Sequence, residues 1–399
     1  MGEGVNRAFK YRFHPNPQQA AELERTFGCV RKVYNLALAA RTSAWQRGER
    51  VNYNATSAML TEWKRGEDLA YLGEVSSVPL QQSLRHLHTA FTNFWAKRAR
   101  YPHFKSRKKS KAAAEYTRSG FRWRDGKLTL AKMSEPLNIV WSRDLPAEPS
   151  TVTVSRDKAG RWFVSMLCDD PTVQPLPSTD QAVGIDAGLT YLLTMSTGEK
   201  IANPRHERAD RARLATAQRD LSRKEKGSAN WAKARRKVAR VHARVADRRR
   251  DYLHKITTRL VRENQTLVIE DLAVRNMIRN RCLSRAISDA SWSEFRRMLE
   301  YKAGWYGREV VVVDRWYPSS KLCSSCGVLR DKMALGVREW VCVCGVRHDR
   351  DVNAAKNILA AGLAVAVCGD GVRPQRNPPG GQSSVKQKTQ PVRVGIPTL

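Results

Sequence analysis

The chain has 399 residues, enough for two or three separate cores, and its 41% hydrophobic content with 11 tryptophans excludes a wholly disordered protein. Its 71 Lys and Arg against 38 Asp and Glu leave a net charge of +33, far more than solubility needs. That much like charge repels itself in a compact state, so a polyanionic partner, nucleic acid before an anionic membrane, is expected to compensate it. No run of about 18 apolar residues occurs and the opening "MGEGVNRAFKYRF" has no apolar leader, so the expected location is the cytoplasm, at the nucleoid, with no membrane partner.

Residues 5–13, "VNRAFKYRF", alternate as a strand and stop at the turn-forming "HPNP". From Gln18 to about Arg47 the spacing of Leu23, Phe27, Val30, Val33, Tyr34, Leu36 and Leu38 predicts helix. A second helix follows Pro79, with Leu80, Leu84, Leu87, Phe91, Phe94 and Trp95 along one face. The stretch "KRARYPHFKSRKKSK" is basic and studded with aromatics. It reads as a backbone-binding linker rather than a solvated connector, with Lys105, Arg107 and Lys108 as its candidate contacts.

Residues 115–170 are short β-rich runs broken by Asp-Gly and Ala-Gly turns, which predicts a small sheet or barrel. The Pro-rich "DDPTVQPLPSTDQ" links it to a buried strand, "AVGID", a Gly turn and a second strand. From Pro204 to Arg262 the pattern is helical and basic throughout. Leu214, Leu221, Val238, Val241 and Val245 can form an apolar seam while Arg235, Arg236 and Lys237 face phosphates. "QTLVIEDLAV" and "REVVVVDRW" are further buried strands. The Pro-, Gly- and Gln-rich end is expected to stay disordered.

Three acids occupy telling places: Asp186 and Glu270 end apolar strands, and Asp351 opens a helix, "DVNAAKNIL". Carboxylates from strand ends and a helix start can converge, and such a cluster cannot be ionised and dry without hard cations such as Mg²⁺. Four of the eight cysteines form two tight pairs. Cys323-x-x-Cys326 and Cys342-x-Cys344, fifteen residues apart, have the spacing of a structural zinc site. The second pair is one residue tighter than the usual C-x-x-C, which leaves Cys344 and His348 as alternatives for the fourth ligand. The metal would supply the folding energy of a loop with little core of its own.

"VGIDAGL" (183–189), "LVIEDLAV" (267–274), "PSSKLCSSCG" (318–327) and "HDRDVNAAKNILAAGL" (348–363) resemble segments of the transposon-encoded TnpB family. So do "SDASWSEFRRMLEYKAG" at 288–304 and "HPNPQQAAELERTFGCVRKVYN" at 14–35, so the likeness takes in nearly the whole chain. The resemblance implies a multidomain α+β and α/β protein. Residues 1–13 with 112–175 would form a β-rich, barrel-like wedge domain, and 14–111 an inserted helical recognition domain. A RuvC nuclease domain of RNase H-like fold would span 180–317 with 349–365, interrupted by a zinc insertion at 318–348 and followed by a disordered basic tail at 366–399.

It also implies an RNA guide and cleavage of double-stranded DNA beside a short flanking motif, with Mg²⁺ as catalytic cofactor and Zn²⁺ as structural one. The three acids Asp186, Glu270 and Asp351 then become catalytic, with Asp349 competing for the third place. The D-x-N-A-A context favours Asp351. Asp271 follows Glu270 on a strand and so points to the opposite face. Two other readings share this architecture, a compact type V CRISPR effector and a guide-dependent DNA-binding repressor without cleavage.

Overall fold

A computed structural model of the protein describes residues 5–331, 333–334 and 336–368. The chain opens with β1 (Val5–Phe13), whose alternation buries Phe9, Tyr11 and Phe13. Asn16 then starts helix α1 (Pro17–Gln46) with a capping box, its side chain accepting from the Gln19 N–H while Gln19 reaches back to the Asn16 N–H. Asn52 caps α2 (Tyr53–Arg65), an element the sequence reading passed over. Ser76 caps α3 (Ser77–Trp95), which begins before Pro79 because proline is tolerated in a first helical turn. The three helices share one core, to which α3 contributes Leu80, Leu84, Leu87 and Phe91.

Six short strands follow: β2 (Ala112–Thr117), β3 (Phe121–Arg124), β4 (Lys127–Leu130), β5 (Ile139–Val140), β6 (Thr151–Arg156) and β7 (Trp162–Asp170). With β1 they make an antiparallel five-stranded sheet of order β2-β6-β7-β1-β5, and β3 and β4 form a separate hairpin. The sheet is open, which corrects the expected barrel. Its buried face is covered by Leu23 and Phe27 of α1 and by Leu128 and Leu130 of the hairpin. That cover buries the apolar face that strand closure would otherwise have to bury.

The second half builds a mixed sheet. Strands β8 (Ala182–Ala187), β9 (Tyr191–Met195) and β10 (Lys200–Ala202) form a meander. Helices α4 (His206–Ser222) and α5 (Ala229–Glu263) then form a long basic hairpin that leads into β11 (Thr266–Glu270). After the short helices α6 (Val274–Met277) and α7 (Ser284–Ala290), helix α8 (Trp292–Tyr306) returns the chain to β12 (Glu309–Val313). The order is β10-β9-β8-β11-β12, with β8, β11 and β12 parallel. A small antiparallel pair, β13 (Glu339–Val341) and β14 (Arg347–Asp349), precedes the last helix, α9 (Arg350–Cys368).

Strand alternation assigns the two faces of this sheet. Val183, Ile185, Leu267 and Ile269 pack with Leu253, Leu260, Phe295 and Leu299 of α5 and α8. Val268 and Val313 pack with Ile358 of α9 on the other side. Gly184 also faces α9, and closely: a Cβ there would lie 2.1 Å from the Ala355 carbonyl oxygen. Helix α9 returns the fit with Gly362, where a Cβ would lie 2.3 Å from Val268 Cγ1. Two glycines thus set how near α9 approaches the sheet. Helix α9 runs through Cys368, three residues into the expected tail, and residues 369–399 lie outside the described residues. Among the described residues no helix is long and apolar enough to cross a membrane.

Candidate active site and cysteine cluster

Parallel pairing sets Ile185 beside Ile269, so the next residues, Asp186 and Glu270, leave the sheet side by side at the same strand ends. By alternation they share the face of Gly184 and Val268, which is the face that α9 covers. Asp351 stands in the first turn of α9, on that side. Burial raises the Asp186 carboxyl, the Glu270 and Asp351 charges raise it further, and it is pushed up to about 7. Glu270 is raised by burial, partly offset by a hydrogen bond from Ser319 Oγ at 2.6 Å. The sequence-predicted acids are therefore brought together. Hard oxygen donors placed so that the charges of Glu270 and Asp351 raise Asp186 fit a divalent cation of the Mg²⁺ kind.

Asp349 has different partners. Its Oδ2 lies 2.6 Å from Lys200 Nζ, and its Oδ1 accepts from the backbone N–H groups of Asp351 and Val352. Burial alone would raise it, but these partners outweigh burial and leave it below the ordinary carboxylate range. It caps α9. Asp271 takes the opposite face, as expected, where Arg296 of α8 and Arg315 bind its two oxygens.

Sequence reading missed Ser319, Lys200 and also Arg338, whose Nη1 is 3.7 Å from Asp351 Oδ2. Only the serine had a signal, its place in the quoted "PSSKLC" segment. A cavity of about 200 Å³ opens beside Glu270, lined among others by Ile185, Leu272, Trp292, Phe295 and Arg296.

The four paired cysteines converge. Their sulfurs all lie within 4.8 Å of one another, Cys323 to Cys344 at 3.8 Å and Cys326 to Cys342 at 3.6 Å. A tetrahedral Zn²⁺ with Zn–S bonds of about 2.3 Å requires sulfur–sulfur edges of about 3.8 Å, so the set fits that ion. The Val328 N–H lowers the Cys326 thiol, but desolvation and the three neighbouring thiols push it up to about 12. His348 stands outside the four: its Nε2 is 3.1 Å from Cys323 Sγ and its ring lies against Trp340.

The candidate basic residues are distributed unequally. Arg235, Arg236 and Lys237 are exposed on α5, and Lys237 with Arg213, Arg240 and Arg244 lines a groove of about 530 Å³ between α4 and α5. Arg107 and Lys108 are exposed, whereas Lys105 Nζ sits 3.7 Å over the Tyr34 ring. Asn35 pins the Lys105 backbone through both its N–H and its carbonyl. Nearby, Trp45, Trp95 and Phe104 stand more than half exposed at 67%, 56% and 63%, and supply flat faces beside the basic run.

A mixed α/β protein with carboxylates gathered at parallel strand ends and a cysteine cluster feeding into the acid-bearing helix is thus defined. Residues 163–281 match the OrfB_IS605 family, described as "Probable transposase", residues 292–358 match the Cas12f1-like TNB domain, and residues 1–50 match a helix-turn-helix domain of the first family. A Streptomyces pristinaespiralis protein named "Putative RNA-guided DNA endonuclease" is 69% identical over all of both chains. Its Escherichia coli K12 counterpart, "Putative RNA-guided DNA endonuclease InsQ", is 36% identical over 93% of this chain and 96% of that one. The fold is similar to Cas12f1 in a cryo-EM structure of the Cas12f1-sgRNA-target DNA complex, with a TM-score of 0.53 at 15% identity, over 86% of this chain and 82% of that one. The chain belongs to the TnpB (OrfB_IS605) family.

Proposed function

We propose that this protein is an RNA-guided, Mg²⁺-dependent DNA endonuclease that cuts double-stranded DNA beside a short flanking motif. The observation that carries the reading is the convergence of Asp186, Glu270 and Asp351 at the parallel strand ends. The names of relatives that span the whole chain support it. The sheet order, three antiparallel strands followed by two parallel ones beside the first, supports the RNase H-like RuvC reading for 180–317 with 349–365. The open sheet of 1–13 with 112–175 acts as the wedge, residues 14–111 as the recognition domain and 318–348 as the zinc insertion.

Divalent cations bound by the acids supply Lewis acidity and an activated water for phosphodiester hydrolysis. The chain's own residues do the rest. The three carboxylates hold the cations, and Asp349 fixes the start of α9 and so the position of Asp351. The cysteines hold Zn²⁺ as a structural ion and rigidify the segment that enters α9. The exposed arginines and lysines of α5 and the 97–111 linker hold nucleic-acid backbones, while base pairing with the guide reads sequence. A repressor without cleavage would have no use for Glu270 and Asp351 held close enough to raise the Asp186 carboxyl. A type V CRISPR effector differs from this reading in the origin of its guide.

The experiment is to purify the protein with its RNA, sequence that RNA, and assay linear DNA carrying a match to its variable segment. Guide-dependent cuts that stop with EDTA support the reading. Random RNA fragments and no guide-dependent cut refute it.

A further inference from the structure

The loop between β12 and the cysteines crosses α9 before it reaches Cys323, and its contacts are specific. Ser319 is 6% exposed and gives its hydroxyl proton to Glu270 Oε1 at 2.6 Å. Its carbonyl accepts from Asn357 Nδ2 at 2.8 Å, and the same amide reaches the Leu322 carbonyl at 2.7 Å. One turn earlier on α9, Asn353 Nδ2 also donates to Leu322 O at 2.7 Å, while its Oδ1 accepts from the Ser324 N–H at 2.9 Å. Asn353 and Asn357 are 1% and 3% exposed, so these bonds have no competition from water.

A serine hydroxyl carries one proton, and this one goes to a carboxylate. Glu270 ends its strand, so the sheet fixes its backbone but not its side-chain torsions. Among the described residues Ser319 is the side chain that hydrogen-bonds it, and Ser319 is itself held by the helix that carries Asp351.

We infer that Ser319 is a positioning residue that orients the Glu270 carboxylate for cation binding, with Asn357 transmitting the placement of α9 to it. The inference rests on the nuclease reading above. It makes the segment leading to Cys323 part of the acid site as well as the root of the zinc insertion. Outer partners that orient metal-binding carboxylates are commonly worth a large factor in affinity.

The test uses the full chain and Mn²⁺ as probe. Electron paramagnetic resonance titration gives the Mn²⁺ affinity of wild type, Ser319→Ala, Glu270→Gln and the double variant, with zinc content and guided DNA binding measured alongside. Ser319→Ala is expected to lose Mn²⁺ affinity on the order of 10–100-fold with zinc and DNA binding unchanged. In the Glu270→Gln background it should lose little more, because the serine acts through that carboxylate. Ser319→Cys fills similar space with a weaker donor and should fall between.

Wild-type Mn²⁺ affinity in Ser319→Ala, or the same loss with Glu270 already replaced, overturns the inference. If Ser319→Ala loses zinc, Ser319→Cys decides, and zinc loss in both overturns it in favour of a purely structural serine. A wild-type protein that makes no guide-dependent cut would sink the nuclease reading instead, and a Glu270→Gln protein that still cuts guided DNA would remove Glu270 from the acid set and this inference with it. A dead Glu270→Gln beside an unaffected Ser319→Ala removes this inference alone.

Discussion

Lys200 Nζ lies 2.6 Å from Asp349 Oδ2, on the side of Asp349 away from the Oδ1 that accepts from the first N–H groups of α9. Both oxygens of Asp349 are thus engaged, whereas Asp351, two residues on, has the looser Arg338 contact at 3.7 Å and raises the proton affinity of Asp186 more than Asp349 does. The two aspartates that the sequence leaves in competition thus differ in their partners.

The first prediction follows from that division. Asp186→Ala, Glu270→Ala or Asp351→Ala should each cut guided DNA at least about 1000-fold more slowly, since cation stabilisation of the transition state is worth several kcal/mol. Guided binding in EDTA should stay near wild type. Asp349→Ala should keep measurable cleavage, with a loss of about 1 kcal/mol in stability from the missing cap. An inactive Asp349→Ala beside an active Asp351→Ala would reverse the assignment, and single-turnover cleavage assays read both.

Gly184 tests the packing that delivers Asp351. A Cβ 2.1 Å from the Ala355 backbone cannot be absorbed by a side-chain rotation, so Gly184→Ala must push α9 off the sheet. The expected cost is about 3 kcal/mol or more, with cleavage lost beyond what the lower stability explains. Thermal unfolding and cleavage at a temperature where the variant is folded check it. A variant as stable and active as wild type would show that α9 sits farther from β8.

The pH dependence of cation binding follows from Asp186. Its folded pKa, about 7, is above its ordinary 3.8. Without cation the fold binds a proton that the unfolded chain has lost, so the contribution of Asp186 to stability falls as pH rises between those two values and stays low above them. Mg²⁺ must displace that proton below pH about 7. The half-saturating Mg²⁺ concentration should therefore rise about tenfold per pH unit on the acid side for one displaced proton, and flatten above it. Mg²⁺ titrations of the unfolding temperature at about pH 6 and about pH 8 measure this. A pH-independent affinity, or one unchanged in Asp186→Asn, would contradict it.

Zinc content is expected to be about one per chain, from four ligands around one tetrahedral ion. Cys323→Ser and Cys344→Ser should both lose zinc and cleavage. His348→Ala should keep the zinc, because its ring contacts a ligand sulfur from outside the four. Metal analysis of the purified variants decides, and zinc loss in His348→Ala with zinc retained in Cys344→Ser would exchange the two residues.

The basic segments should differ in their salt response. Replacing Arg235, Arg236 and Lys237 together should flatten the salt dependence of RNA or guided-DNA binding by about one unit per lost phosphate contact. The triple change of Lys105, Arg107 and Lys108 should flatten it by about two units rather than three, since Lys105 is held over Tyr34. Salt titrations that show no change for either variant would leave both segments as solvated faces.

Much of this protein was legible in the residues themselves. Apolar strands that end in Asp186 and Glu270, the helix opened by Asp351 and the paired cysteines are local patterns, and period-2 alternation alone placed Asp271 opposite Glu270. The charge excess likewise needs no coordinates. Tertiary structure decided what depends on residues far apart in the chain. Whether the first sheet closes turned on Leu23 and Phe27 of α1 and on the β3–β4 hairpin, which cover its face and leave it open. Asp349 gained an ion-pair partner because Lys200, 149 positions away, reaches its second oxygen. Cys344 joined the sulfur cluster and His348 stayed outside because the pairing of β13 with β14 sets where each side chain falls. Ser319 acquired a carboxylate partner because α9 folds back over the strand ends. Periodicity and spacing report which faces are apolar and which ligands are near in sequence. Hydrogen bonds and ion pairs between distant segments form only where packing brings them within about 3 Å, and that distance is set by the whole fold.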